Sequence, residues 1–167
     1  DRLVPIYSET KEKTLVKGST NSLAANPDYP ITGAKTFYSG GGGLSSTAYD
    51  YAIFLQMLLN GGVYNGKRFL SPKGVELFTN SNQSGTLFPD PRSYFSLGFS
   101  VINEAGRAND LYSNTGIFSW GGAFSTHYFA DPKEKICGVL MKQMWPTSFG
   151  GELDRKFDLM IYQALDR

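Results

Sequence analysis

The chain has 167 residues, 41% of them hydrophobic and 19% charged, which is enough for one domain with a real core and too few for two. Sixteen basic residues against fifteen acidic ones leave a formal net charge of +1 with no block of either sign. This balance argues against disorder and against a nucleic-acid surface, and no apolar run is long enough to span a membrane. A single cysteine and a single histidine exclude an internal disulfide and a Cys/His zinc cluster.

The opening residues, Asp1 to Pro5, show neither a Met nor the charged-then-apolar order of a signal peptide, so the chain reads as an excised or processed piece. Leu3, Val4, Ile6 and Tyr7 suit an edge strand or a helix end, and most of Asp1 to Ser39 reads as irregular. Asn21 to Tyr38, punctuated by Pro27, Pro30 and Gly33, has the length of a loop that lies on another part of a protein. The run Ser39-Gly40-Gly41-Gly42-Gly43-Leu44-Ser45-Ser46 then opens into a helix. Thr47 to Asp50 fits a capping box, Ala48, Tyr51, Ala52, Leu55, Leu58 and Leu59 form one stripe, and Ile53, Phe54 and Met57 widen it. The helix is expected to be buried on much of its circumference and to stop at Asn60-Gly61-Gly62, where glycine takes the left-handed cap conformation.

Gly66 to Leu70 reads as a short extended link. Ser71-Pro72 supplies a hydroxyl cap and a first-turn proline for a second helix ending near Thr79. Asn80 to Ser93 is a polar loop. Phe95, Leu97, Phe99 and Val101 alternate with small or polar residues, as in a half-buried strand, and Glu104 to Asp110 turns the chain back. Gly116 to Met141 reads as a hairpin with Trp120-Gly121-Gly122 at its head. Its strand Ala123 to Ala130 alternates, Asp131 to Glu134 carries turn chemistry, and Ile136 to Met141 is apolar enough to be covered on both faces. After Pro146 a last helix carries Leu153, Phe157, Ile161 and Leu165 at helical spacing. The pattern predicts an α+β fold: an antiparallel sheet of three or four strands with helices packed on it, over residues 1–167 as one domain.

Chemical motifs are sparse. The four-glycine run lacks the Lys-Ser or Lys-Thr of a phosphate loop and reads as close backbone packing under the sheet. His127, in mid-strand, reads as a satisfied structural histidine, and Cys137 as a small buried hydrophobe. No Gly-x-Ser-x-Gly elbow is present.

The glycine run with its helix from Thr47 to Gly62, together with Trp120-Gly121-Gly122-Ala123 and Asp131-Pro132, resembles the C-terminal half of the serine β-lactamase-like family. This is the class C group, which includes penicillin-binding carboxypeptidases and esterases. The resemblance implies acyl transfer on a small-molecule ester or amide, by a Ser-x-x-Lys nucleophile, a Tyr-x-Asn motif and a Lys-Thr-Gly strand that in esterase-like members is Trp-Gly-Gly. Carried over, Trp120, Gly121 and Gly122 bind substrate, and Ala123 supplies a backbone N–H to the oxyanion hole. No cofactor and no metal are implied.

Ser8-Glu9-Thr10-Lys11 and Tyr112-Ser113-Asn114 match the first two motifs in the right order, yet both read as chance matches. Lys11 stands among charged residues, whereas a serine-activating lysine needs burial to lose its proton. Tyr112 lies only a few residues before Trp120. The expectation is therefore an incomplete part of the fold, inactive alone, whose nucleophile lies outside the chain and whose partner is a missing N-terminal part of the same protein. The alternative is a non-catalytic binding or structural module. Nothing in the pattern chooses between a periplasmic, a secreted and a cytoplasmic location.

Overall fold

A computed structural model describes residues 3–18, 26–33, 36, 38–82, 90–109 and 112–165. The expectations for the loops Asn21 to Tyr38 and Asn80 to Ser93 fall partly outside the described residues. The N-terminal stretch expected to be irregular forms a hairpin, β1 (Tyr7–Glu9) and β2 (Leu15–Lys17), turning through Lys13 at φ +59. A single turn of helix, α1 (Tyr29–Thr32), follows.

Helix α2 (Ala48–Leu59) starts as its capping chemistry predicts: the Thr47 hydroxyl accepts from the Asp50 N–H at 3.1 Å and donates to the Asp50 carboxylate at 2.8 Å. It ends on Gly61 and Gly62, both at positive φ. Its burial is narrower than the stripe suggested. Leu55, Met57 and Leu58 are buried, while Ala48 and Phe54 are exposed. The glycine run before it does not pack under the sheet, for Gly40 to Gly43 are all exposed.

The expected link after α2 is a second hairpin, β3 (Val63–Tyr64) and β4 (Lys67–Arg68), joined by Asn65-Gly66 with both residues at positive φ. Helix α3 (Pro72–Thr79) begins at Ser71, whose hydroxyl accepts from the Gly74 N–H at 3.0 Å.

The main sheet has five antiparallel strands in sequence order: β5 (Ser93–Phe95), β6 (Ser100–Ile102), β7 (Phe118–Gly121), β8 (His127–Asp131) and β9 (Ile136–Leu140). The single strand expected from Phe95 to Val101 is two, because the Ser96 hydroxyl accepts from the Phe99 N–H and Ser96 N donates to the Phe99 carbonyl, closing a turn. Glu104 onward forms a short helix, α4 (Glu104–Asn109), whose first turn is held by Asn103 accepting from the Gly106 N–H. The strand expected from Ala123 begins only at His127. Trp120 and Gly121 end β7, and residues 122–126 turn through Ser125 at φ +68.

Each face of the sheet carries a helix. On one, Tyr51 of α2 meets the Tyr128 ring at 4.5 Å and Leu55, Leu58, Phe99, Val101, Phe118 and Ala130 form the core. On the other lies α5 (Gly150–Gln163), whose Phe157 and Ile161 approach so closely that a Cβ on Gly138 would stand 2.7 Å from Ile161. The expectation of an incomplete fold is corrected on this ground. The strands pair without a gap from β5 to β9, both faces are covered, and β1 is built in beside residues 143–146 through Tyr7 N to Gln143 O and Trp145 N to Tyr7 O.

Candidate active site

Beyond Ser119, β7 keeps β8 on one side and has no strand on the other among the described residues, since β6 pairs with it only at Ser119 and Phe118. Trp120, Gly121 and Gly122 therefore form a ledge beside β8. The Trp120 ring is 45% exposed and meets Phe95 edge-on at 4.6 Å. Ala123 is exposed in the following turn, and its N–H has no hydrogen-bond partner among the described residues.

A cleft of about 490 Å³ opens at this ledge, between the ends of β7 and β8, the segment 145–148 and the start of α5. Trp120, Gly121 and Gly122 line it and Ala123 does not. The wall at 147–148 is pinned to β1. Both the N–H and the hydroxyl of Ser148 donate to Glu9, and the backbone bond is the main reason the Glu9 carboxyl is held below its ordinary range.

His127 also lines the cleft, directly across the strand pair from Gly121. As expected it is satisfied: Nε2 lies 2.8 Å from the Asp158 carboxylate on α5. Nε2 is thus the ring nitrogen engaged by α5. Nδ1 has no partner among the described residues, and no buried side-chain N or O is left unpaired, so this nitrogen meets solvent. Lys142, 7% exposed at its side chain, is engaged by the Asp154 carboxylate and the Gly150 carbonyl.

The two motif matches lie apart from the ledge motif's chemistry. Ser8 sits on β1 with its hydroxyl donating to the Trp145 carbonyl, and Lys11 is exposed in the turn after it. Asn114 is buried on the α5 side, donating to Asp131 at 2.8 Å and accepting from Lys133 at 3.0 Å. Asp131 is wholly buried and also accepts from the Tyr162 hydroxyl at 2.6 Å. Burial is the main cause, and the Asp131 hydrogen bond the second, of a phenol pKa raised far above the ordinary range at Tyr162. Cys137 is half-buried, its thiol raised by burial and 3.8 Å from the Ala52 carbonyl. No group of metal-ligating residues occurs among the described residues, and no helix there is long and apolar enough to cross a membrane.

Sequence reasoning missed the His127–Asp158 pair and the hydroxyls around it. The available signal was Asp154 and Asp158, four apart on a helix whose Phe157 and Ile161 are committed to the sheet.

The antiparallel sheet thus carries a helix on each face and the glycine ledge at one strand end. The chain belongs to the Beta-lactamase family, whose model matches residues 5–161. It is 34% identical over 121 residues to the Mycobacterium tuberculosis protein Rv1367c, an alignment covering 66% of this chain and 30% of that protein. A shorter stretch of 59 residues is 39% identical to a putative D-alanyl-D-alanine carboxypeptidase of Escherichia coli O157:H7, covering 32% of this chain and 14% of that one. The fold is shared with the simvastatin synthase LovD of Aspergillus terreus, at TM-score 0.70 and 19% identity over 98% of this chain and 43% of that one. It is shared also with the hydrolase EstCE1, which has promiscuous acyltransferase activity, at TM-score 0.67 and 20% identity over 95% of this chain and 42% of that one.

The chain thus spans under half the length of these relatives. The family match nonetheless runs from residue 5 to residue 161. This corrects the assignment to a C-terminal half, the incomplete fold, and the missing N-terminal part as a partner. The N-terminal residues match the family along with the rest and are hydrogen-bonded beside the cleft wall.

Proposed function

We propose that this protein acts in acyl transfer on small-molecule esters or amides, with residues 1–167 working as one domain. The observation that carries the reading is the end of β7, where the Trp120-Gly121-Gly122 ledge meets a cleft and the Ala123 N–H has no hydrogen-bond partner among the described residues. In this reading a substrate lies along Trp120, Gly121 and Gly122, a serine hydroxyl other than that of Ser8 adds to its carbonyl as the alcohol or amine leaves, water then releases the acyl group, and the Ala123 N–H donates to the oxyanion at each addition. Trp120 stands where the resemblance gives other members a lysine, which removes a cationic partner for a substrate carboxylate and favours esters over β-lactams. Ser8 is not the attacking serine, because its hydroxyl is engaged by a carbonyl and Lys11 lies in solvent.

The test is hydrolysis of p-nitrophenyl acetate by the protein and by Ala123→Pro, which lacks the N–H. Turnover should fall by about 10²–10³, the scale of one lost oxyanion donor. Ala123→Gly keeps the donor and serves as the control. Near-normal turnover in a folded Ala123→Pro protein overturns the oxyanion role.

The second reading, a non-catalytic binding module, is favoured by the same engaged Ser8 and exposed Lys11. A fluorophosphonate probe separates the two. Labelling that survives Ser8→Ala supports acyl transfer, absence of both labelling and turnover supports the binding module, and labelling lost in Ser8→Ala overturns the rejection of that serine.

A further inference from the structure

We infer that the cleft beside the ledge takes a neutral, hydroxyl-rich ligand: a mono- or disaccharide, as the free sugar or as the alcohol part of an ester. The acyl-transfer reading enters only in seating an ester carbonyl near Gly121 and Ala123; the ligand class rests on the lining. Small-molecule pockets are ordinarily walled by aliphatic and aromatic side chains with a few polar groups. This wall is different. It consists of six hydroxyl side chains, four glycines, both tryptophans of the chain, His127 and Asp154.

Among the described residues no aliphatic side chain lines the cleft, so a long acyl chain would gain little burial there. Neither a lysine nor an arginine among the described residues lines it, and nearby Lys142 is held by Asp154 and the Gly150 carbonyl, so an anion would find no cation among them. The polar groups that remain suit a partner that both donates and accepts. Ser100 and Ser119 are opposed across β6 and β7, hence on one face, and neither hydroxyl has a partner among the described residues. His127 Nδ1 has no partner among the described residues, Ser125 gives its proton to the Met144 carbonyl and keeps lone pairs, and Asp154 supplies a further acceptor. A sugar matches this set: its hydroxyls donate and accept, and its C–H faces stack on indole rings.

Because both tryptophans line the cleft, intrinsic fluorescence reads occupancy directly. The protein is titrated with glucose, N-acetylglucosamine, cellobiose and maltose, with octanoate and inorganic phosphate as chain and anion probes. At least one sugar should give a saturable emission change with Kd on the order of 1 mM. Binding should weaken about tenfold in the Ser100→Ala/Ser119→Ala double variant, provided its circular dichroism is unchanged. No saturable response to any of the sugars up to about 10 mM, saturation by octanoate or phosphate alone, or unchanged affinity in the double variant overturns the inference. Parallel turnover of p-nitrophenyl acetate keeps the two ideas apart. Sugar binding without turnover removes acyl transfer and leaves the ligand class, and turnover without sugar binding removes the ligand class alone.

Discussion

The two faces of the five-stranded sheet are built from the same residues in alternation and differ in kind. Tyr128 and Ala130 of β8 point to α2 and join Leu55, Leu58 and Phe118 in a dry core. Their neighbours His127, Phe129 and Asp131 point to α5, where they meet Asp158, Tyr162 and Asn114. On the α2 side the fit is one of volume, which many apolar side chains satisfy. On the α5 side it depends on which atom donates to which, and there the sheet also leaves a cleft open. The first face is held by apolar packing and the second by directed hydrogen bonds.

The sharpest way to break this contrast is on the dry face. Leu55 is fully buried against the sheet, and Leu55→Ala should cost about 2–5 kcal/mol in a denaturant melt, through lost transfer energy and a residual cavity. A change within the noise would mean that α2 is peripheral.

On the other face the matching experiment keeps volume and changes polarity. Asp131 Oδ1 accepts from the N–H groups of Lys133 and Glu134, and Oδ2 accepts from Asn114 and Tyr162. Asp131→Asn turns one of these oxygens into a donor facing donors, and Asn114 cannot flip in response without losing its bond from Lys133. The expected loss is about 1–3 kcal/mol. If the isosteric change is neutral while Leu55→Ala is costly, the α5 face is not specified by hydrogen bonds.

What could be read from sequence follows from the same contrast between local and distant causes. The starts of α2 and α3 were legible because Thr47 and Ser71 act on residues three positions away. The Asp131 turn was legible for the same reason. The break between β5 and β6 was not, because a serine hydroxyl closes that turn, and its one glycine, Gly98, falls at a small position of an apolar alternation that runs straight through it. The β1–β2 hairpin likewise turns on Lys13 at positive φ, a residue type that gives no turn signal. The Asn65-Gly66 turn did carry a signal, but its flanking strands are two residues each. At the site, Trp120, Gly121 and Gly122 stood out as a contiguous motif. His127 meets an aspartate 31 positions away and Ser100 faces Ser119 only through strand register, so neither pairing exists until the sheet and α5 are docked.

Alkaline pH probes both faces at once. Tyr128 on the α2 side and Tyr162 on the α5 side have phenol pKa values raised, mainly by burial. A folded-state pKa above the unfolded one contributes stability that is complete below the unfolded value, about 10 for tyrosine, and is lost as pH rises beyond it. Above about pH 10 the unfolded chain releases protons that the folded chain keeps, so stability should fall by about 1.4 kcal/mol per pH unit for each such phenol. Tyr162→Phe should flatten the slope by one phenol, as read from denaturant midpoints across pH 9–12. An unchanged slope would mean that the Tyr162 phenol ionises in the folded protein as readily as in the unfolded one.

The smallest expected effect concerns how the two covering helices begin. At the start of α2 the Thr47 hydroxyl satisfies the Asp50 N–H, whereas α5 begins at Phe149 with no side-chain cap. If the dry face alone held α2 in place, the cap would be redundant and its removal silent. If the first turn is an independent contribution, Thr47→Ala leaves one N–H to water and should cost about 1 kcal/mol. Thr47→Ser restores the acceptor without the methyl group and should recover most of that loss, which separates the hydrogen bond from packing. Thr47 is half-buried and lies outside the core cluster, so a loss as large as that of Leu55→Ala would point to misfolding of the helix start and not to a missing cap.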